Sequence, residues 1–163
     1  MSSPVSVRPA RADDESAIGR LGAMLVEEHH QFDPKRFIAP LPQLKERYGQ
    51  FLVSRIKEPG MVVLVAERDG LAVGYAYAGI EGNDYMALRG PAGVLYDLVV
   101  DPRHRRQGVG TALLHAAFDA LLRLGAPRVV LFTADKNQGA QEMFARAGFR
   151  RTMIEMTREL GSD

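Results

Sequence analysis

The sequence predicts a mixed α/β (α+β) domain, with antiparallel strands in its first part and a β-α-β-α-β run at its end. Three observations carry this. Two apolar runs, residues 61–66 and 71–80, flank Arg68-Asp69-Gly70, and an Asp-Gly pair between such runs is a hairpin signal. From Gly108 the apolar period lengthens to that of a helix: Leu113, Leu114, Ala117, Phe118 and Leu121 share one face, and Thr111, His115, Asp119 and Arg123 the other. The chain has 163 residues, 46% of them in the AVILMFWYC set and 25% charged, which is the size and balance of one ordinary domain with a real core.

The elements follow in order. Val5-Ser6-Val7-Arg8 is a short extended segment. Asp13-Asp14-Glu15 supplies the negative charge that suits a helix N-terminus, and Ile18, Leu21, Leu25 and Val26 recur behind it at helical spacing. An irregular stretch, 31–42, holds Pro34, Pro40 and Pro42 and is too short to separate two domains. Leu44, Tyr48, Phe51, Leu52 and Ile56 form a second helical stripe, stopped by Pro59-Gly60. After the hairpin, Gly82-Asn83-Asp84 and Arg89-Gly90-Pro91 mark a loop, and residues 94–100 are a strand ended by Asp101-Pro102. The helix from Gly108 closes at Leu124-Gly125-Ala126-Pro127, in the Gly-then-Pro order expected of a C-terminus. Residues 129–132 are a strand, 138–147 a short helix ended by Gly148, and 149–158 a final strand. No repeat or low-complexity linker interrupts the chain, so 1–163 is expected to be a single domain.

Composition removes several functions. Lys+Arg number 21 against 20 Asp+Glu, a net charge of +1, which disfavours a bulk nucleic-acid partner or an anionic membrane surface. There is no cysteine, which excludes disulfides, thiolate nucleophiles and Cys-ligated zinc or iron–sulfur centres. No apolar run approaches the ~20 residues of a membrane span. Met1-Ser2-Ser3-Pro4 has neither the basic nor the apolar region of a secretory signal, so a cytoplasmic protein is the expectation. His29-His30-Gln31-Phe32-Asp33 has the composition of a metal cluster but not its spacing: adjacent histidines on a helix diverge by about 100°, so no metal is expected.

The segment richest in chemistry joins a strand to a helix: Asp101-Pro102-Arg103-His104-Arg105-Arg106-Gln107-Gly108-Val109-Gly110-Thr111. The first amides of a helix lack intrahelical partners and carry the positive end of its dipole, so such a turn holds phosphate. Two familiar phosphate motifs do not fit. A P-loop needs Gly-Lys-Ser/Thr, and here Thr111 follows Gly110 directly; a dinucleotide fingerprint needs a third glycine where Leu113 stands.

What remains is Arg105-x-x-Gly108-x-Gly110 after the strand Leu98-Val99-Val100. This resembles the acetyl-CoA signature of the GNAT N-acetyltransferases, [RQ]-x-x-G-x-[GA]. Farther on, Asn137-x-x-Ala140-x-x-x-Phe144-x-x-x-Gly148-Phe149 is similar to that family's next helix. The resemblance spans about residues 95–149. It implies the GNAT acyl-CoA N-acyltransferase fold: a mostly antiparallel central sheet, splayed at the cofactor slot and flanked by helices.

The resemblance also implies roles. The CoA pyrophosphate would sit on the amides of Arg106, Gln107, Gly108, Val109 and Gly110, with the Thr111 hydroxyl as an added donor. Arg105 would shape the loop. Arg103 and His104 either are solvated or reach the 3′-phosphate. The pantetheine arm would pair with the backbone of Leu98, Val99 and Val100, where an amide polarises the thioester carbonyl, in a slot between residues 95–100 and 129–132. Asn137 falls where a side chain helps to bind CoA. The implied reaction moves an acetyl group from acetyl-CoA to a primary amine on a small molecule or peptide. Lacking cysteine, the chain can form no acetyl-cysteine, so transfer is direct within a ternary complex. Homodimers through the C-terminal strand occur in the family.

For the base, Asp97 is the only charged residue in its strand, where partial desolvation raises a carboxyl pKa. It serves either as base or as a ligand of backbone amides at a kink. Glu81, Glu28, His29 and ordered water are the alternatives. Phe144 stands where many members have the tyrosine that protonates the thiolate. Tyr96, Tyr77 or Tyr85 would replace it, or the thiolate leaves unprotonated. The acceptor site is expected between the loop joining the first two helices and the strands near Tyr75 and Tyr77. Lys35, Arg36 and Arg47 in that region either bind an anionic acceptor or are solvated. The competing functions are a non-catalytic acyl-CoA-binding module and a nucleic-acid binder using Arg103, Arg105 and Arg106.

Overall fold

The computed structural model describes residues 3–161; the reading of the extreme N-terminus falls partly outside them. The order is β1 (Ser6–Pro9), α1 (Glu15–Phe32), α2 (Leu44–Arg55), β2 (Met61–Arg68), β3 (Leu71–Glu81), β4 (Ala92–Val100), α3 (Val109–Arg123), β5 (Val129–Leu131) and α4 (Gln138–Arg146). Short 3-10 turns precede α1 and follow β4. No helix among the described residues is long and apolar enough to cross a membrane.

The five strands lie in sequence order, β1 to β4 antiparallel and β4–β5 parallel. The hairpin turns on Asp69 (φ 53) and Gly70 (φ 74), the pair of left-handed residues that matches the twist of a two-residue connection. Alternation along β2 divides the core. Leu64 and Ala66 face α3 with Leu113, Leu114 and Leu121, while Val63 and Val65 face α1 and α2 with Ile18, Leu21, Leu52 and Tyr75. Each fully buried leucine contributes roughly 1.5–3 kcal/mol by leaving water. The polar face read for α3 is exposed at Thr111, His115, Asp119 and Arg123.

Helices α1 and α2 meet along a seam of Gly19, Gly22 and Gly49. A Cβ added at Gly22 would overlap the Tyr48 ring, so this glycine lets the ring pack directly against the α1 backbone.

Two expectations need correction. Residues 149–158 do not form a strand: the segment pairs with no strand and leaves Met153, Ile154 and Met156 at least 68% exposed. The physical reason is that β5 is only three residues long and offers little ladder to extend. Glu155 instead forms an ion pair with Arg36 in the α1–α2 loop. Second, residues 129–131 pair with β4 at residues 93–95, so the opening between the strands starts later, between the rest of β4 and the segment from Phe132.

Candidate active site

The turn after β4 is built on Asp101, which is 2% exposed. Its carboxylate accepts from the backbone amide of Arg103 (3.0 Å), from the Arg103 guanidinium (3.0 and 2.9 Å) and from Arg20 (3.0 Å). The Arg103 hydrogen bond, with smaller help from Arg20, holds its pKa well below the usual carboxylate range. Arg105 donates to the Val100 carbonyl (3.0 Å) and, through both terminal nitrogens, to Glu28 (2.8 and 3.1 Å), tying the turn to α1. Two of the three sequence arginines are therefore committed to carboxylates.

Arg106 (φ 57) and Gly108 (φ 80) are left-handed, and this backbone path turns the chain sharply into α3. Gly108 is the N-cap, and no side chain caps the helix. Among the described residues, the backbone N–H groups from Arg106 to Thr111 find no protein acceptor. A Cβ at Gly108 would meet nothing within 4 Å, so space is open above the amides. Free amides at a helix N-terminus under open space favour an anion.

Beside this turn, β4 is bonded on one edge only. Past Leu95 it keeps its pairing with β3, from Tyr77↔Asp97 to Gly74↔Val100, and among the described residues no strand lies on its other side. The register slips between Tyr77 and Ala78, which leaves Tyr96 as an extra residue in β4, a bulge that bends the strand at this point. Leu98, Val99 and Val100 follow it along the open edge.

Asp97 lies just after the bulge and points toward α1 and α2. It does not bond backbone amides, as its non-catalytic reading required. Its Oδ2 accepts from the hydroxyls of Tyr48 on α2 (2.6 Å) and Tyr75 on β3 (2.9 Å), and Oδ1 has no protein partner among the described residues. Among the described residues no cation forms an ion pair with it. Burial pushes its pKa up, against the pull of the two hydroxyls and of His29. Burial and the charge of Asp97 also push both phenols up, so they stay hydrogen-bond donors. The other carboxylates are engaged: Glu28 with Arg105, and Glu81 with Arg89 (2.7 Å) and the Tyr96 hydroxyl (2.7 Å).

Other predicted residues fall as follows. The Asn137 side chain caps α4, accepting from the Ala140 amide at 3.2 Å. Phe144 is buried against α3 and Phe149, so that position presents no hydroxyl. Tyr96 and Tyr77 stack at 4.8 Å, Phe51 meets the edge of Tyr77 at 5.8 Å, and Tyr85 is exposed in the β3–β4 loop. Lys35, Arg36 and Arg47 lie on the surface. His29 and His30 each donate an Nδ1–H to a backbone carbonyl, of Leu25 (2.8 Å) and Phe37 (3.0 Å). The described residues contain no cluster of three or more His, Cys, Asp or Glu side chains suited to a metal ion. Sequence reasoning missed Tyr48 as a partner of Asp97, because 49 residues separate them and Tyr48 reads as one more member of an apolar stripe.

Comparison with known proteins places the chain in a family. A mycothiol acetyltransferase of Sanguibacter keddieii is 34% identical over 116 residues, 69% of this chain and 36% of the relative. An uncharacterized N-acetyltransferase of Mycobacterium bovis is 33% identical over 104 residues, 64% of this chain and 60% of that one. The chain spans about a third of the length of the mycothiol acetyltransferases it matches. Among solved structures, a mutant protein from Bacillus halodurans superposes with TM-score 0.80 at 19% identity, covering 95% of this chain and 99% of that one. An aminoglycoside N-acetyltransferase solved with CoA gives TM-score 0.72 at 18% identity, covering 99% and 98%. These two establish likeness of fold. The model of the acetyltransferase (GNAT) family matches residues 22–149, which contain the turn, the open edge of β4 and the capped α4 together. The chain belongs to the GNAT acetyltransferase family.

Proposed function

We propose that 1–163 is one acetyltransferase domain that moves an acetyl group from acetyl-CoA to a primary amine by direct attack. The observation that carries this is the run of unbonded amides at the start of α3, continuous with the open edge of β4 and with Asp97 beyond it. Acetyl-CoA supplies an activated acyl group on a good leaving group. The α3 amides, with Thr111, hold its pyrophosphate, and the β4 backbone at Leu98, Val99 and Val100 aligns the arm and polarises the carbonyl. Asp97 accepts the amine proton at Oδ1, directly or through water, while Tyr48 and Tyr75 fix Oδ2. The amine nitrogen bonds to the acetyl carbon, the C–S bond breaks, and the sulfur leaves as thiolate. With Phe144 buried, the thiolate takes its proton from solvent or from Tyr96.

The acceptor is a small-molecule or peptide amine. The net charge of +1 supports an enzyme without a bulk nucleic-acid or anionic-membrane partner, and a cytoplasmic location is part of the proposal. The test is release of free thiol from acetyl-CoA with a panel of amines, paired with CoA binding by wild type and Gly108→Val. Amine-dependent release is expected, with CoA binding lost in the variant because a side chain enters the phosphate space and strains a left-handed residue. Tight CoA binding without release for any amine would favour the non-catalytic module.

A homodimer completes the proposal. The apolar side chains of the unpaired C-terminal segment, Met153, Ile154 and Met156, support a second copy covering them. Sedimentation across a concentration series should show a dimer; a monomer at all concentrations would refute it.

A further inference from the structure

Arg68 ends β2 on the face that carries Leu64 and Ala66, so its side chain continues the α3-side row past the end of the core. It is 7% exposed. One terminal nitrogen donates to the Gln107 side-chain carbonyl, and the Gln107 amide nitrogen donates to the Arg103 carbonyl at 3.1 Å. Its Nε is buried without a partner, and among the described residues no carboxylate pairs with it. The guanidinium is thus packed against the turn whose amides from Arg106 to Thr111 are unbonded.

A buried charge without an opposite charge is costly. A carboxyl or an amine escapes by changing its protonation, but a guanidinium holds its proton at any working pH. Only an anion can compensate it. Arg103 and Arg105, which read from sequence as the turn's cations, are committed to Asp101 and Glu28. The buried cation that is left is Arg68, brought in from a different strand.

We propose that Arg68 is a positioning residue for the phosphates of acetyl-CoA: through Gln107 it fixes the turn that holds the pyrophosphate, and the bound phosphates supply the counter-charge it lacks. This rests on reading the turn as the CoA site. The donor S-acetylpantetheine, which has the thioester and arm but no phosphate of CoA, separates the two ideas.

The experiment compares Arg68→Met, Arg68→Lys and wild type with both donors. Arg68→Met should raise KM for acetyl-CoA roughly 10- to 100-fold, the range for a charge-assisted contact, with a much smaller effect on kcat. The loss with S-acetylpantetheine should be several-fold smaller, and Arg68→Lys should recover part of the affinity. The ligand-free Arg68→Met protein should melt no lower than wild type, while its stabilisation by CoA shrinks. Equal losses with both donors, or an unchanged KM for acetyl-CoA, would overturn the proposal. If Arg68→Met does not fold, Gln107→Glu takes its place. That carboxylate would pair with Arg68, raising the melting temperature and weakening CoA binding; unaltered CoA affinity refutes the proposal. If wild type binds CoA no better than pantetheine, the proposal falls with the reading of the turn, and the wild-type comparison alone identifies that failure.

Discussion

Two desolvated charges, one half-buried and one buried, lie on opposite faces of one sheet. Among the described residues, Asp97 on the α1/α2 face has no cation and Arg68 on the α3 face has no anion. Chemistry treats them differently. The carboxyl answers desolvation by a raised pKa, which makes it a stronger proton acceptor than an exposed carboxylate. The guanidinium has no such outlet and waits for a ligand. Asp101, buried on the same strand run but bonded by Arg20 and Arg103, shows the third outcome, with its pKa driven down and its role reduced to holding the turn. Burial alone does not separate these three charges; the presence or absence of a partner does.

The sharpest way to break the comparison is Asp97→Asn. It keeps the shape and removes the proton acceptor, so kcat should fall on the order of 10²-fold or more with little change in KM for acetyl-CoA. The acid limb of the pH–rate profile should vanish with it. Stability should move the other way. Because the folded-state pKa of Asp97 is raised, its favourable contribution is full below the unfolded value and is lost as pH rises through the folded one. At neutral pH Asp97→Asn should therefore melt no lower than wild type, and a melting series across pH checks this. A wild-type pH–rate profile in the variant would remove Asp97 as the base.

A smaller effect is expected from Tyr75→Phe. The Tyr75 hydroxyl donates to the ionised carboxylate and so lowers its pKa; without it the acid limb should move to higher pH. Activity at neutral pH should drop less than in Asp97→Asn, and recover as pH is raised. A profile that falls without shifting would show that Tyr75 acts on packing alone.

How much of this was legible in the chain depended on distance along it. The sharp turn from β4 into α3 was, because its determinants lie within Arg105 to Thr111 and a strand–glycine–helix order is a local property. The hairpin at Asp69-Gly70 and the faces of α3 were legible for the same reason. Tyr48 and Arg68 were not. Periodicity says which face of an element is buried, but not what lies across from it, and each of these side chains finds its partner on another element. The alternation Leu64, Ala66, Arg68 did hold a signal: it sends the arginine inward, where a turn assignment sends it to solvent. The C-terminal segment failed differently. Its residues favour a strand, yet a strand needs an edge to pair with, and β5 ends after three residues.

The glycine seam between α1 and α2 has a consequence beyond packing. Tyr48 reaches Asp97 because its ring rests directly on the backbone at Gly22. The separation of two helices thereby becomes a ruler for the acidity of a carboxyl on a strand. A methyl group at Gly22 would touch no reacting atom, yet it would have to displace the phenol or part the helices, and either change loosens the grip on Oδ2. Adjusting the working pH of such a site therefore needs no change to the residues that line it, only to the spacer that decides how closely one helix leans on the next.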